Sequence, residues 1–342
     1  MLSRLLLQVF LLTLLGLTPP LISTAATPPP ADAQAVITAL TNANAAVVGV
    51  QVTATDGARS AETLGKQRSG SGVVIGPDGL ILTIGYLMIE AQTIQVVTQD
   101  NRTIPAQPVA YDLATGFGLI RPLLPLRGIA PVPLGSHRDL HPGDALMASI
   151  GGSDADVAMT ELVSKRPFSG YWEYHIETAL FTSPPIGNHS GAPLFNQRGE
   201  LLGIGSLFVG DASGESRRLP GNMFVPVDLL KPILDEMQRT GSSRQSHRPW
   251  LGVTSSEQGG RVNVVRVTKD SPAYDAGVAA GDVVLAVDGV NVSTLEEFYR
   301  KVWARPNPDD EVKLTILQGS DFKVLTLRGV DRMTTMIKPA GI

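Results

Sequence analysis

From Val47 onward the apolar residues come in short runs, each cut off by glycine, proline or a polar turn. Val47, Val48, Val50 and Val52 start one run, and Gly70 to Ile75 is a second, closed by Pro77-Asp78-Gly79. Leu80 to Thr83, Thr93 to Thr98 and Ile104 to Val109 continue the series, and the same texture resumes from Asp144 to Val209, with Leu201 to Phe208 as a clear apolar strand. Runs this short make strands, and the breakers between them make turns. With 35 Gly and 25 Pro in 342 residues, the pattern predicts a mainly β fold built as a barrel or sandwich. At 43% hydrophobic the chain has ample material for a core, which argues against global disorder.

The length suggests two or three domains on a prior of about 150 residues each. Residues 1–26 read as a secretory signal peptide: Arg4 gives a positive start, Leu5 to Leu17 is apolar, and Ser23, Thr24, Ala25 and Ala26 offer a small-residue cleavage site. The rival reading is an uncleaved anchor over Leu5 to Ile22, which Pro19 and Pro20 interrupt, and membrane contact is expected only in that case. Thr27 to Asp32 is a proline-rich spacer, and Ala33 to Asn42 a short helix. Residues 55–69 read as an exposed loop. A first domain over 33–240 closes on a helix with Asp228 as its N-cap, an apolar stripe of Leu229, Leu230, Ile233, Leu234 and Met237, and Gly241 at its end. Residues 241–248 (GSSRQSHR) form a polar linker. A second unit over 249–330 carries strands at Val262 to Val267, Val283 to Val287, Lys313 to Leu317 and Lys323 to Leu327. Its helix opens on a capping box of Ser293 and Glu296 and buries Leu295, Phe298 and Val302. Residues 331–342 are expected to be a poorly ordered tail.

A net charge of −4 argues against nucleic acid as a main partner, because phosphate recognition needs a basic surface. The chain has no cysteine, which excludes disulfides, thiolate nucleophiles, iron–sulfur clusters and cysteine zinc sites. No cofactor is expected. His137 and His141 have a spacing that suits a metal, but His141-Pro142 argues against a helix and no third ligand is apparent, so no metal site is assigned.

Two stretches, GSGVVIGPDGLILT (Gly70–Thr83) and GNHSGAPLFNQRGELLGI (Gly187–Ile204), resemble the secreted HtrA/Deg serine proteases. MFVPVDLLKPILDEM (Met223–Met237) resembles that family's closing helix, and RPWLGV (Arg248–Val253) with SPAYDAGVAAGDVVLAVDGVNV (Ser271–Val292) its PDZ domain. The resemblance runs collinearly from about residue 33 to 330. It implies a trypsin-like double β-barrel followed by a smaller α+β PDZ domain, a periplasmic or secreted location, and assembly as a homotrimer.

The catalytic residues depart from that pattern. A serine protease needs a hydroxyl, a His to take its proton and a carboxylate to orient the His. Where the family has ILTNNHVV this chain has ILTIGYLM, so Tyr86 stands at the His position. Where the family has D-x-x-T-D-L-A-V this chain has Asp112-Leu-Ala-Thr115-Gly116-Phe-Gly-Leu119, so Gly116 replaces the carboxylate. Ser190 is kept, in Asn188-His189-Ser190-Gly191-Ala192-Pro193. Asn188 takes the oxyanion-hole position, and Asn tolerates positive φ better than most residues. Tyr86, with an ordinary pKa of about 10, is a poor substitute base at neutral pH. His189 adjoins Ser190, but neighbours in an extended stretch point to opposite faces. His175, in the strand before the serine loop, is a weaker candidate. His137, His141 and His247 read as surface residues.

The second unit keeps its signal better. PDZ domains add a peptide beside a sheet edge and bind its terminal carboxylate with backbone N–H groups. Leu251, Gly252 and Val253 match the carboxylate loop, with Arg248 near enough to assist; the plain alternative is that they only begin the first strand. Two functions stand against each other: a noncatalytic HtrA-like protein binding peptides or unfolded chains, and a working serine endopeptidase of envelope quality control. The loss of both His and Asp favours the first.

Overall fold

The computed structural model describes residues 31–215 and 218–337. The expected signal peptide and all but the last residues of the spacer lie outside this range. Helix α1 (Ala31–Ala45) leads into six strands: β1 (Val47–Ala54), β2 (Gln67–Val74), β3 (Ile81–Ile84), β4 (Ala91–Val97), β5 (Thr103–Tyr111) and β6 (Phe117–Pro122). They close into an antiparallel barrel in the order β1-β2-β3-β6-β5-β4. A second barrel uses β7 (Ala145–Ile150), β8 (Asp156–Gly170), β9 (Tyr174–Ser183), β10 (Pro193–Phe195), β11 (Leu201–Val209) and β12 (Gly221–Pro226), in the order β10-β11-β12-β9-β8-β7. The double barrel implied by the resemblance is therefore present. One apolar core joins the barrels, running from Val50, Ile81, Phe117 and Leu119 across to Phe181, Phe195, Ile204 and Met223. Strand β3 is buried at all four positions, because the second barrel covers the face that water would otherwise wet.

Several local expectations shift. The first helix runs longer, Ala31–Ala45, and the loop read at 55–69 contains a helical turn, α2 (Ala61–Leu64), and the start of β2. Asp228 does not cap the closing helix: it sits in a 3-10 turn, and the α-helix proper, α3 (Leu234–Thr240), begins later. The Asp228 carboxylate accepts bonds from Ser136 Oγ at 2.8 Å and His137 N at 2.9 Å, a demand from far upstream in the chain. Gly241 ends α3 in the left-handed conformation, as its sequence position suggests.

Residues 241–248 are not a free linker. Ser243 and Ser246 are buried, and both hydroxyls donate to Asp112 Oδ1. The C-terminal unit follows with β13 (Pro249–Trp250), β14 (Val253–Gln258), β15 (Arg261–Val267), α4 (Pro272–Asp275), β16 (Val283–Val287), β17 (Val290–Asn291), α5 (Leu295–Trp303), β18 (Glu311–Gln318), β19 (Asp321–Arg328) and β20 (Val330–Asp331). Its sheet runs β14-β15-β16-β18-β19, so β14 is an edge, while β13 pairs with β20. Helix α5 packs Phe298, Tyr299 and Val302 into a separate core. Its cap is shifted one residue from the expected box: Thr294 Oγ1 accepts from Glu297 N at 3.1 Å, and Ser293 N donates to Glu297 Oε2 at 2.8 Å. Of the expected tail, residues 331–337 fall within the described range. Asp331 caps a short turn through Met333 N, and Ile337 N reaches back to Glu90 Oε1 in the first barrel at 3.1 Å. Among the described residues no helix is long and apolar enough to cross a membrane.

Candidate functional site

Ser190 lies on a loop clamped between the barrels by backbone contacts that only glycine permits. Ser71 N donates to Ser190 O at 2.8 Å, and Gly191 N to Gly205 O at 2.9 Å. A Cβ on Gly70 would stand 2.4 Å from Ser190 O, one on Gly191 2.1 Å from Ser71 O, and one on Gly205 2.1 Å from His189 O. Gly191 takes the left-handed conformation at φ +74°, whereas Asn188 is not among the residues with positive φ.

Tyr86 sits in the turn after β3 and reaches this loop. Its hydroxyl lies 2.8 Å from Ser190 Oγ and 2.9 Å from the Ser206 carbonyl oxygen. A carbonyl only accepts and a phenol has one proton, so the chain has one direction: Ser190 donates to Tyr86, which donates to Ser206. The turn is held from below by buried Arg68, whose guanidinium donates to the carbonyls of Tyr86 at 3.1 Å and Ile89 at 2.8 Å. Burial pushes the Tyr86 phenol up to about 12, against a smaller opposite effect of the Ser190 bond. At pH 7 only about one molecule in 10⁵ would then carry a tyrosinate. A cleft of about 210 Å³ opens beside the pair, lined by Leu64, Gln67, Arg68, Ser69, Tyr86, Leu87 and Ser190.

Gly116 adopts φ +83°, and its carbonyl accepts from Gly85 N at 2.7 Å. The Tyr174 hydroxyl donates to the adjoining Thr115 carbonyl at 2.6 Å. The nearby carboxylate, Asp112, is buried and engaged elsewhere, by Thr115 N at 2.9 Å, Thr115 Oγ1 at 2.7 Å and the two linker serines.

No imidazole is brought to Ser190 among the described residues. His189 turns its ring toward Gly187 O at 3.3 Å, and burial lowers its pKa. His175 faces Ser169 Oγ at 2.9 Å and Glu177 at 3.5 Å. His137 Nδ1 is 2.6 Å from Asp228 Oδ2, which corrects its reading as a plain surface residue. His247 is exposed and sits 2.6 Å from Asp331. One trio of ligand-type side chains, His175, Glu177 and Glu296, does converge from distant parts of the sequence. Arg300 already bridges both of its carboxylates, so the place of a cation is filled by a guanidinium.

In the C-terminal unit Leu251, Gly252 and Val253 turn their amides to one point. Gly252 is required there: its φ is +86°, and a Cβ would fall 2.3 Å from Ser271 Cβ. The three N–H groups meet the carboxylate of Glu173, at 3.0, 2.7 and 3.0 Å. Glu173 belongs to the β8–β9 hairpin of the second barrel, and nothing in its sequence neighbourhood announces this partnership. Arg248 does not reach the carboxylate. It stacks 3.4 Å from the Trp303 ring centroid and donates to the Glu173 carbonyl at 3.3 Å. Burial pulls its pKa down to about 10, opposed by the charge of Glu173.

Comparison with known proteins matches this division. Residues 70–204 match the trypsin-like peptidase domain family, and residues 249–328 the PDZ domain family. The chain thus carries a trypsin-like peptidase match followed by a PDZ match. A probable periplasmic serine endoprotease, DegP-like, of Halomonas elongata is 28% identical over 277 residues, covering 75% of this chain and 55% of that protein. The chain thus spans about half the length of that relative. The serine endoprotease DegS of Haemophilus influenzae is 27% identical over 260 residues, 73% of each chain. Among solved structures, HtrA-type protease AlgW with a decapeptide superposes with a TM-score of 0.54 at 21% identity, covering 89% of this chain and 99% of that one. The serine endoprotease from Yersinia pestis gives 0.53 at 23%, covering 89% and 98%. At these identities the structural likeness speaks to the fold.

Proposed function

We propose that this HtrA-type chain is a noncatalytic member that acts by binding peptides or unfolded polypeptide, with Leu251, Gly252 and Val253 as the carboxylate cradle of its PDZ groove. The observation that carries the first half is the phenol of Tyr86 in hydrogen-bond contact with Ser190 Oγ. A nucleophilic serine needs a neighbour able to accept its proton. A neutral phenol cannot, and its ionised form is about 10⁵-fold too scarce at pH 7. In a characterised serine protease, loss of the base alone costs about a millionfold in kcat. With Gly116 in the orienting position, neither support for the nucleophile remains.

The edge strand β14, the facing helix α5 and the converging amides support the second half, since these are the parts with which such a groove adds a peptide as a strand. The names of the relatives suggest the periplasm, and the resemblance suggests a homotrimer, which light scattering on the mature chain would test.

The competing reading, an active endopeptidase, draws on the preserved backbone of the serine loop. A fluorophosphonate probe separates the two. On the proposed reading wild type labels no faster than Ser190→Ala and casein is not turned over. Labelling that depends on Ser190 would establish the endopeptidase instead. Tyr86→His alone is expected to restore nothing, because Gly116 leaves the new imidazole without a carboxylate.

A further inference from the structure

The tip of the β8–β9 hairpin, Tyr171-Trp172-Glu173, lies in the PDZ groove as a ligand would. Ser255 N, on the edge strand β14, donates to Tyr171 O at 2.9 Å, the bond by which an added strand is registered. Two residues on, the Glu173 carboxylate receives the amides of Leu251, Gly252 and Val253. Across the groove, Tyr299 of α5 donates to Gly170 O at 2.8 Å and accepts from Glu173 N at 3.3 Å. Arg300 of the same helix pairs with Glu177 of β9. Glu173 holds this position with φ +57°, a left-handed conformation that is unfavourable for an ordinary side chain and persists where surrounding contacts dictate it.

We infer that Glu173 is a built-in surrogate C-terminus: its side-chain carboxylate occupies the PDZ carboxylate cradle in cis, and the external ligand is a free C-terminal peptide that must displace the tip. The inference rests on the reading of the groove as a peptide site and adds what fills it at rest. Geometry sets the ligand class. Three amides aimed at one point suit a carboxylate and nothing cationic, and the Ser255–Tyr171 bond sets the spacing from that carboxylate to the first backbone carbonyl of an added strand. An aromatic residue two places before the terminus matches the occupant already present. Affinity is reduced by the fraction of molecules in which the tip has left the groove.

The test uses the full mature chain and a fluorescein-labelled peptide, SGYWV, which copies Ser169 to Trp172 and supplies a free carboxylate in place of that of Glu173. Its C-terminal amide is the control. Wild type is expected to bind the free acid weakly, Glu173→Gln at least tenfold more tightly, and the amide not at all. Hydrogen exchange is followed in parallel. Residues 251–255 should exchange faster in Glu173→Gln than in wild type, and in wild type residues 170–174 should lose protection as SGYWV saturates. That last measurement needs no variant, so a folding defect in Glu173→Gln does not remove the test. Equal peptide affinity in wild type and Glu173→Gln, or a tip unmoved by bound peptide, overturns the inference. Faster exchange at 251–255 in Glu173→Gln with no peptide binding to either protein upholds the internal contact and defeats the peptide-binding reading instead.

Discussion

Tyr86 stands in direct hydrogen-bond contact with Ser190 Oγ. The phenol closes a hydrogen-bonded chain from Ser190 to the Ser206 carbonyl, and Arg68 holds the backbone carbonyl of Tyr86 from beneath. Tyr86→Phe removes the middle of that chain and leaves a buried carbonyl without its donor. A loss of about 2 kcal/mol is expected, read from the urea midpoint at unchanged slope. The pH dependence has a definite sign. The phenol titrates near 12 in the folded chain against about 10 when unfolded, so the folded state keeps its proton longer. Its contribution is therefore full below pH 10 and is lost as pH rises from about 10 to about 12. Burial raises Tyr111, Tyr174 and Tyr299 in the same direction, so Tyr86→Phe should make this alkaline decline shallower without abolishing it; an unchanged slope would contradict the burial argument.

At the scale of elements, the strands were legible and their ends were not. Alternation and turn residues locate β1, β2, β4 and β5 to within a few positions, because those signals are local. Side chains used over long distances escaped the same reading. Asp228 has every local mark of a helix cap, yet Ser136 and His137 claim it. Ser293 and Thr294 are both capping residues, and local pattern does not rank them; the helix starts at Leu295, which makes Thr294 the cap. The segment 241–248 looks like a linker because it is polar and small, the very qualities that let Ser243 and Ser246 bury their hydroxyls on Asp112. Asp112→Ala leaves those serines and Thr115 without their acceptor. A cost of about 3 kcal/mol is expected, with trypsin cleavage after Arg244 accelerated; unchanged cleavage would show that the segment is held by something else.

At the scale of the molecule, the two domains are joined by polar contacts of a specific kind. Arg248 stacks on Trp303 and bonds the Glu173 carbonyl, while the tail returns to Glu90 through Ile337 N. Wild type is expected to melt in one calorimetric transition, and Arg248→Ala in two, since the interface would lose a half-buried cation that both sides need; a single transition in the variant would show that the domains are coupled by other contacts. The sequence by itself determined the β architecture and the succession of two kinds of domain, because periodicity, turn chemistry and residue identity are local properties. Only the tertiary structure decided what stands beside Ser190 Oγ and what the amides of Leu251, Gly252 and Val253 meet. Those answers depend on which side chains distant strands bring within about 3 Å, and a hydrogen bond across a hundred residues of chain leaves no periodic trace.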